Sequence, residues 1–244
     1  MLSGILAIGA VWIAPTARGT FVNVSLPGAS SQSEWSGLTG TQYPGYPSYV
    51  TSSAAWPAPI AATGGVTGLL LDKTSGLGFP SNGGGIYVGG LTSGTGTYRI
   101  LSGDSVTLAG FETVVFQIEI EGVGAVWSSL LSGISLDYNE GSQALPPSFF
   151  TEVSAVSTGE MFGEPAMRFC LAFQWDLSGQ PGDVESFRIG WTAAEHSMSS
   201  RFQINQGDTM VQAIPEPAVW VLVGLAAAAL CGRAAHGRCW RRTL

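Results

Sequence analysis

Alternation of apolar and polar positions is the main signal in the middle of this chain. In Val114-Val115-Phe116-Gln117-Ile118-Glu119-Ile120-Glu121, one face collects Val114, Phe116, Ile118 and Ile120, and the other collects Gln117, Glu119 and Glu121. A period of two predicts a half-buried strand. Residues 167–176 repeat the device: Met167, Phe169, Leu171, Phe173 and Trp175 face one way, Arg168, Cys170, Ala172, Gln174 and Asp176 the other. Phe187, Ile189 and Trp191 alternate in a third strand, and Phe202 with Ile204 in a fourth. Weaker strand candidates are 21–26, 66–71, 85–91, 97–101, 105–109, 125–131 and 134–138. Turn residues such as Ser102-Gly103-Asp104 and Pro181-Gly182-Asp183 punctuate them.

Between residues 20 and 213 no segment carries a helical period, apart from a turn at 193–198. Many short strands, each with one apolar face, predict an all-β ectodomain built as an antiparallel β-sandwich or jelly roll. The missing helices exclude a parallel α/β fold, and the lack of a fixed-period repeat speaks against a solenoid or propeller.

Residues 28–65 differ, with Ser, Gly, Pro and Thr predominating. There Tyr43, Tyr46 and Tyr49 recur at intervals of three, and Trp56-Pro57-Ala58-Pro59 follows. In polyproline II, with about three residues per turn, the tyrosines would share one face. Two readings stand side by side: an aromatic strip (Tyr43, Tyr46, Tyr49, Trp56) for stacking on sugars or a partner, or an irregular loop whose aromatics pack over an end of the sandwich.

Charge narrows the partners. Between residues 20 and 213, sixteen acidic residues face five basic ones (Lys73, Arg99, Arg168, Arg188 and Arg201), a net of −11. That excludes nucleic acid as a main partner, because its affinity comes from neutralising phosphates. It argues equally against an anionic membrane face. Cys170 is the single cysteine of this segment, so no intrachain disulfide forms within it. A lone strand cysteine is read as a small core residue.

The last thirty residues have a different composition. Pro215-Glu216-Pro217 interrupts any helix. Residues 218–231 carry no charge and are rich in Ala and Leu, predicting one apolar helix. Its length of roughly 21 Å falls short of the ~20 residues of a full bilayer span. Ile214 and the small residues Gly232, Ala234 and Ala235 extend it, while Arg233 snorkels outward. Arg233, Arg238, Arg241 and Arg242 favour a cytoplasmic end, and Trp220 suits the opposite interface. The other reading of this segment is a buried core helix.

A Pro-Glu-Pro hinge, one hydrophobic helix and a terminal arginine cluster, in that order, resemble the PEP-CTERM protein-sorting signal of bacteria. The resemblance covers about residues 214–242. It implies a precursor held transiently in the inner membrane and processed near Pro215, Glu216 and Pro217 by an exosortase, a membrane protease-transpeptidase. It further implies release to, or attachment at, the cell surface or extracellular matrix. The basic end departs from the family's compact cluster, being stretched by His236, Gly237, Cys239 and Trp240.

Such a tail requires export. Residues 1–14 are uncharged and mostly apolar, and Ala17-Arg18-Gly19 places small residues before Thr20. Residues 1–19 are therefore read as a signal peptide cleaved before Thr20, lacking the basic leading segment. The alternative is an uncleaved N-terminal strand or helix. The chain divides into this signal, a 20–213 ectodomain and a 214–244 sorting tail.

Candidate chemistry in the ectodomain is sparse. Glu119 and Glu121 share a strand face at roughly 6.5–7 Å, a separation that suits an inverting glycosidase pair, but acids at i and i+2 usually form a solvated face. Asp137-Tyr138-Asn139-Glu140 gathers oxygen ligands without the glycine and distal glutamate of an EF-hand loop, and reads as an acidic turn. Asp176 and Asp183 flank the Pro181 turn. His196, the sole histidine of the segment, has no Gly-x-Ser-x-Gly elbow to serve. Asn23-Val24-Ser25 matches a glycosylation sequon, read as accidental beside a bacterial tail. Neither a two-histidine nor a cysteine-rich metal site can be assembled, and no cofactor is expected.

The expected function is a non-enzymatic, exported envelope or matrix protein with a structural or interaction ectodomain. A carbohydrate-binding module for extracellular polysaccharide is the alternative, and a glycoside hydrolase or lyase stands third.

Overall fold

The computed structural model describes residues 20–43, 54–65, 68–89, 93–102 and 110–214. Its strands are β1 (Ser30–Ser36), β2 (Ile60–Ala61), β3 (Gly64–Gly65), β4 (Leu69–Gly76), β5 (Phe79–Pro80), β6 (Ile86–Val88) and β7 (Gly96–Ser102). They continue with β8 (Thr113–Val123), β9 (Leu131–Tyr138), β10 (Phe149–Met161), β11 (Glu164–Asp176), β12 (Phe187–Ala193) and β13 (Ser197–Gly207). Among the described residues the only helical pieces are two three-residue 3₁₀ turns, and no helix is long and apolar enough to cross a membrane.

Two antiparallel sheets make an all-β, sandwich-like fold. The larger orders its strands β10-β11-β8-β13-β1-β3, with β6 sharing the β1 edge of β13 and β5 pairing β6. The smaller runs β2-β4-β7-β12-β9. The four strands that alternation predicts most strongly form β8, β11, β12 and β13, and they occupy interior positions in the sheets. Their apolar faces meet between the sheets, where Phe116, Ile118, Leu171, Ile189 and Ile204 are fully buried. A chain of aromatic contacts threads this core: Tyr98 on Trp191 at 5.8 Å, Trp191 on Phe116 at 5.1 Å and Phe116 on Phe173 at 6.2 Å between ring centroids.

Four weaker expectations need correction. Residues 125–131, expected as a strand, contain the 3₁₀ turn Trp127–Ser129, and only Leu131 belongs to a strand. Residues 30–36 lie inside the segment read as irregular, yet pair with β13 from Ser30↔Gly207 to Ser36↔Arg201. This strand has almost no apolar pattern of its own and is held by its neighbour's ladder. Strand β10 has no sequence signal of note and is the longest edge strand, completed by a two-residue turn at Phe162-Gly163 with Met161 opposite Glu164. Residues 21–26, expected as a strand, make no ladder. Instead they cross the outer face of the larger sheet as a strap. Candidate strand 105–109 lies outside the described residues.

Two glutamines hold straps to that face. Gln117 on β8 accepts the Val22 N–H at 2.8 Å and donates to the Val22 carbonyl at 3.1 Å. Gln174 on β11 donates to the Val211 carbonyl at 2.5 Å and accepts the N–H groups of Ala213 and Ile214 at 2.9 and 3.2 Å. Each carboxamide thus satisfies both polarities of a passing backbone, as a neighbouring strand would. Val115, Ala172 and Ile214 form a small apolar cluster beneath the straps, with Val22, Val24 and Ala213 packed against it. As a result β8 is buried on both faces along most of its length.

Candidate functional site

The structure separates the residues that sequence reasoning grouped. Tyr43 and Trp56 are buried, so for these two the exposed strip is overturned and the loop-packing reading holds. Their rings meet edge to face at 6.2 Å, Trp56 meets Tyr98 at 6.0 Å, and the indole N–H donates to the Gly78 carbonyl at 3.1 Å. Burying the flat faces against the core gains more than leaving them wet. Tyr46 and Tyr49 lie outside the described residues.

Glu119 and Glu121 do share one face, but it is not solvated at Glu119, which is only 2% exposed. Its carboxylate accepts the Ser200 hydroxyl and faces the Cys170 thiol at 3.8 Å. Glu121 accepts a forked pair from Arg168, at 2.9 Å from Nε and 2.5 Å from Nη2. Both acids are committed to protein partners rather than opposed across a cleft. Burial, with Glu119 adding to it, pushes the Cys170 thiol pKa up, which keeps the sulfur protonated and unreactive.

The remaining candidates are turn residues. Asp137 binds Arg188 and accepts the Ala144 N–H at 2.8 Å. Asn139 and Glu140 both have positive φ, at 47° and 57°, and Asn139 caps the opposite loop by accepting the Glu185 N–H at 2.8 Å. Asp176 accepts both the N–H and the hydroxyl of Ser178. Among the described residues no three His, Cys, Asp or Glu side chains are gathered to hold a metal. His196 sits at the tip of the larger sheet, its Nδ1 3.1 Å from the Tyr87 hydroxyl and its ring 4.5 Å from Phe162. Pro215, Glu216, Pro217, Arg233, Arg238, Arg241, Arg242 and the 218–231 helix all lie outside the described residues, as do residues 1–19.

Every arginine between residues 20 and 214 is ion-paired with an acid from another strand: Arg99–Asp72, Arg168–Glu121, Arg188–Asp137 and Arg201–Glu34. Arg201 also lies 4.4 Å over the Phe21 ring, a cation–π contact that ties the first strap down. Lys73 is buried and donates to the Gly76 carbonyl at 2.8 Å. Each of these cations therefore has a partner within the fold, while Arg99 and Arg188 remain half-exposed.

The outer face of the smaller sheet carries two of these pairs and a cleft of about 610 Å³. The register explains the layout. Asp72 lies opposite Arg99, Arg99 opposite Gly190, and Gly190 opposite Ser135; one row along, Leu70 faces Leu101, Leu101 faces Arg188 and Arg188 faces Asp137. Arg99, Arg188, Asp137, Glu140 and Glu185 supply the polar wall of the cleft, and Leu70 and Leu101 an apolar strip. Burial works against the Asp137 carboxylate, but the Ala144 N–H and Arg188 more than offset it, and its pKa lies below the usual aspartate range. No sequence motif marks this site, because its residues come from four strands and are neighbours only through the ladder.

Comparison with known proteins leaves the site to its own geometry: no family model, curated protein or solved structure matches the chain.

Proposed function

We propose that the chain is an exported bacterial cell-envelope protein, sorted by an exosortase-type system, with an ectodomain of structural or interaction role. The observation that carries this is the order Pro215-Glu216-Pro217, an uncharged apolar run over 218–231, then Arg233, Arg238, Arg241 and Arg242. In this reading the ectodomain is a jelly-roll-type sandwich, and 218–231 is a single, temporary transmembrane anchor with its arginines in the cytoplasm. The signal over 1–19 is removed during export.

The folded domain supports the reading in two ways. Its C-terminal strap is pinned down to Ile214, which is 1% exposed, so the Pro-Glu-Pro follows directly on packed structure. Its acidic surface and internally paired arginines suit a solvated exterior and not a nucleic-acid partner. The commitments of Glu119, Glu121 and His196 to structural partners favour a non-catalytic domain.

Mass spectrometry of the protein recovered from the cell surface or culture medium tests the proposal. The expected C-terminus lies near Pro215–Pro217; a surface fraction ending in intact Leu244 refutes it.

A further inference from the structure

We propose that the Arg99–Arg188 cleft on the outer face of the smaller sheet is a binding site for neutral saccharide chains. This deepens the surface-protein reading by naming a ligand class, and it concerns a different part of the molecule from the sorting tail.

The first ground is the state of the two guanidinium groups. Arg99 places Nε and Nη2 on a single oxygen of Asp72, at 3.1 and 2.8 Å. Arg188 does the same with Asp137, at 3.2 and 2.6 Å, and reaches the Gly141 carbonyl at 3.3 Å. Each Nη1 edge is left without a partner among the described residues, and both arginine side chains keep about 40% exposure, 38% and 41%. The ion pairs hold the forks in place, so little ordering is needed when a ligand arrives.

The second ground is charge. The two arginines are matched by Asp72 and Asp137, and the unpaired carboxylates of Glu140 and Glu185 stand at the rim. An anionic ligand meets a net negative cleft, and a cationic one meets two guanidinium edges. Donors and acceptors in alternation suit a group that is both, and a sugar hydroxyl donates one hydrogen bond and accepts others. The Leu70–Leu101 strip offers the apolar surface on which sugar C–H faces rest. The volume lies within the ~300–1,000 Å³ of small-molecule sites, room for a short stretch of chain.

The test uses the full-length protein in mild detergent on an array of neutral oligosaccharides, with alginate and chitosan fragments as anionic and cationic probes. Retention of neutral oligosaccharides is expected, with Arg99→Met and Arg188→Met each weakening it at least tenfold. Leu101→Thr is the decisive variant, because it removes half of the apolar strip and leaves both ion pairs in place: cooperative thermal unfolding retained, and binding reduced at least tenfold. Preference for alginate or chitosan, no retention of any neutral oligosaccharide, or unchanged binding by Leu101→Thr each overturns the proposal. Because the sorting reading is judged by the C-terminal mass, failure of one leaves the other standing.

Discussion

Gln174 holds Ile214 by the backbone: its Oε1 accepts the Ile214 N–H at 3.2 Å while its Nε2 donates to Val211 at 2.5 Å. A single side chain on β11 thus satisfies three backbone groups of the segment that leads into the Pro-Glu-Pro. Replacing it with alanine leaves those groups buried and unpaired. Gln174→Ala is expected to cost about 2–3 kcal/mol in denaturant unfolding. It should also speed hydrogen exchange at Ala213 and Ile214 more than at the interior strand β12. Unchanged exchange at those two amides would show that apolar packing alone holds the strap.

Glu119 provides a sharper test of the buried polar face. Glu119→Gln keeps an acceptor for the Ser200 hydroxyl and should change stability by less than about 1 kcal/mol, whereas Glu119→Ala strands the hydroxyl and opens a cavity, costing about 2–4 kcal/mol. Equal losses for both would mean that charge, not hydrogen-bond satisfaction, is what this position requires.

The Cys170 thiol is fully buried and its pKa is raised by that burial. Iodoacetamide should therefore leave the Cys170 peptide unmodified in native protein at neutral pH and label it in denaturant, as read by peptide mass spectrometry. Labelling under native conditions would expose local opening of the sheet around Cys170.

Acid should weaken the fold. At Glu34 burial opposes ionisation, but the Arg201 and Ser36 contacts dominate and lower the pKa; Asp137 is likewise lowered through Ala144 and Arg188. A carboxyl with a depressed native pKa contributes stability above its unfolded value, about 4, and loses it as pH falls through the native one. Denaturant midpoints should be level from pH 7 to 5 and fall below pH 4. Arg201→Met and Arg188→Met should flatten that fall, and a slope unaltered by both would assign it to other acids.

Phe162 occupies the first position of the β10–β11 turn with φ 56°, followed by Gly163 at 82°, and it is 69% exposed. An aromatic residue in the left-handed region carries strain that asparagine relieves. Phe162→Asn is expected to raise stability by about 0.5–1 kcal/mol. A loss instead would show that its contact with the His196 ring outweighs the backbone strain.

The strands most legible in the sequence were those with large apolar residues every second position: β8, β11, β12 and β13. Strand β1 was not, because Ser30–Ser36 contributes chiefly Trp35 to the core and relies on β13 for its ladder. The aromatics Tyr43 and Trp56 were visible as a group, but their spacing carries no information about which side meets the core. The Arg99–Arg188 cleft was invisible for a related reason: 89 residues separate two arginines that share adjoining rows of one sheet face.

The amino-acid order by itself determined the alternating faces of the interior strands, the all-β class and the hinge–apolar–arginine arrangement of the tail, since each is a property of neighbours along the chain. Whether a polar face is wet or dry was decided only in three dimensions. The straps that close over Gln117 and Gln174 come from residues far away in sequence, and solvation depends on what lies overhead. Among the described residues no such strap crosses Arg99 and Arg188, whose side chains stay about 40% exposed, at 38% and 41%.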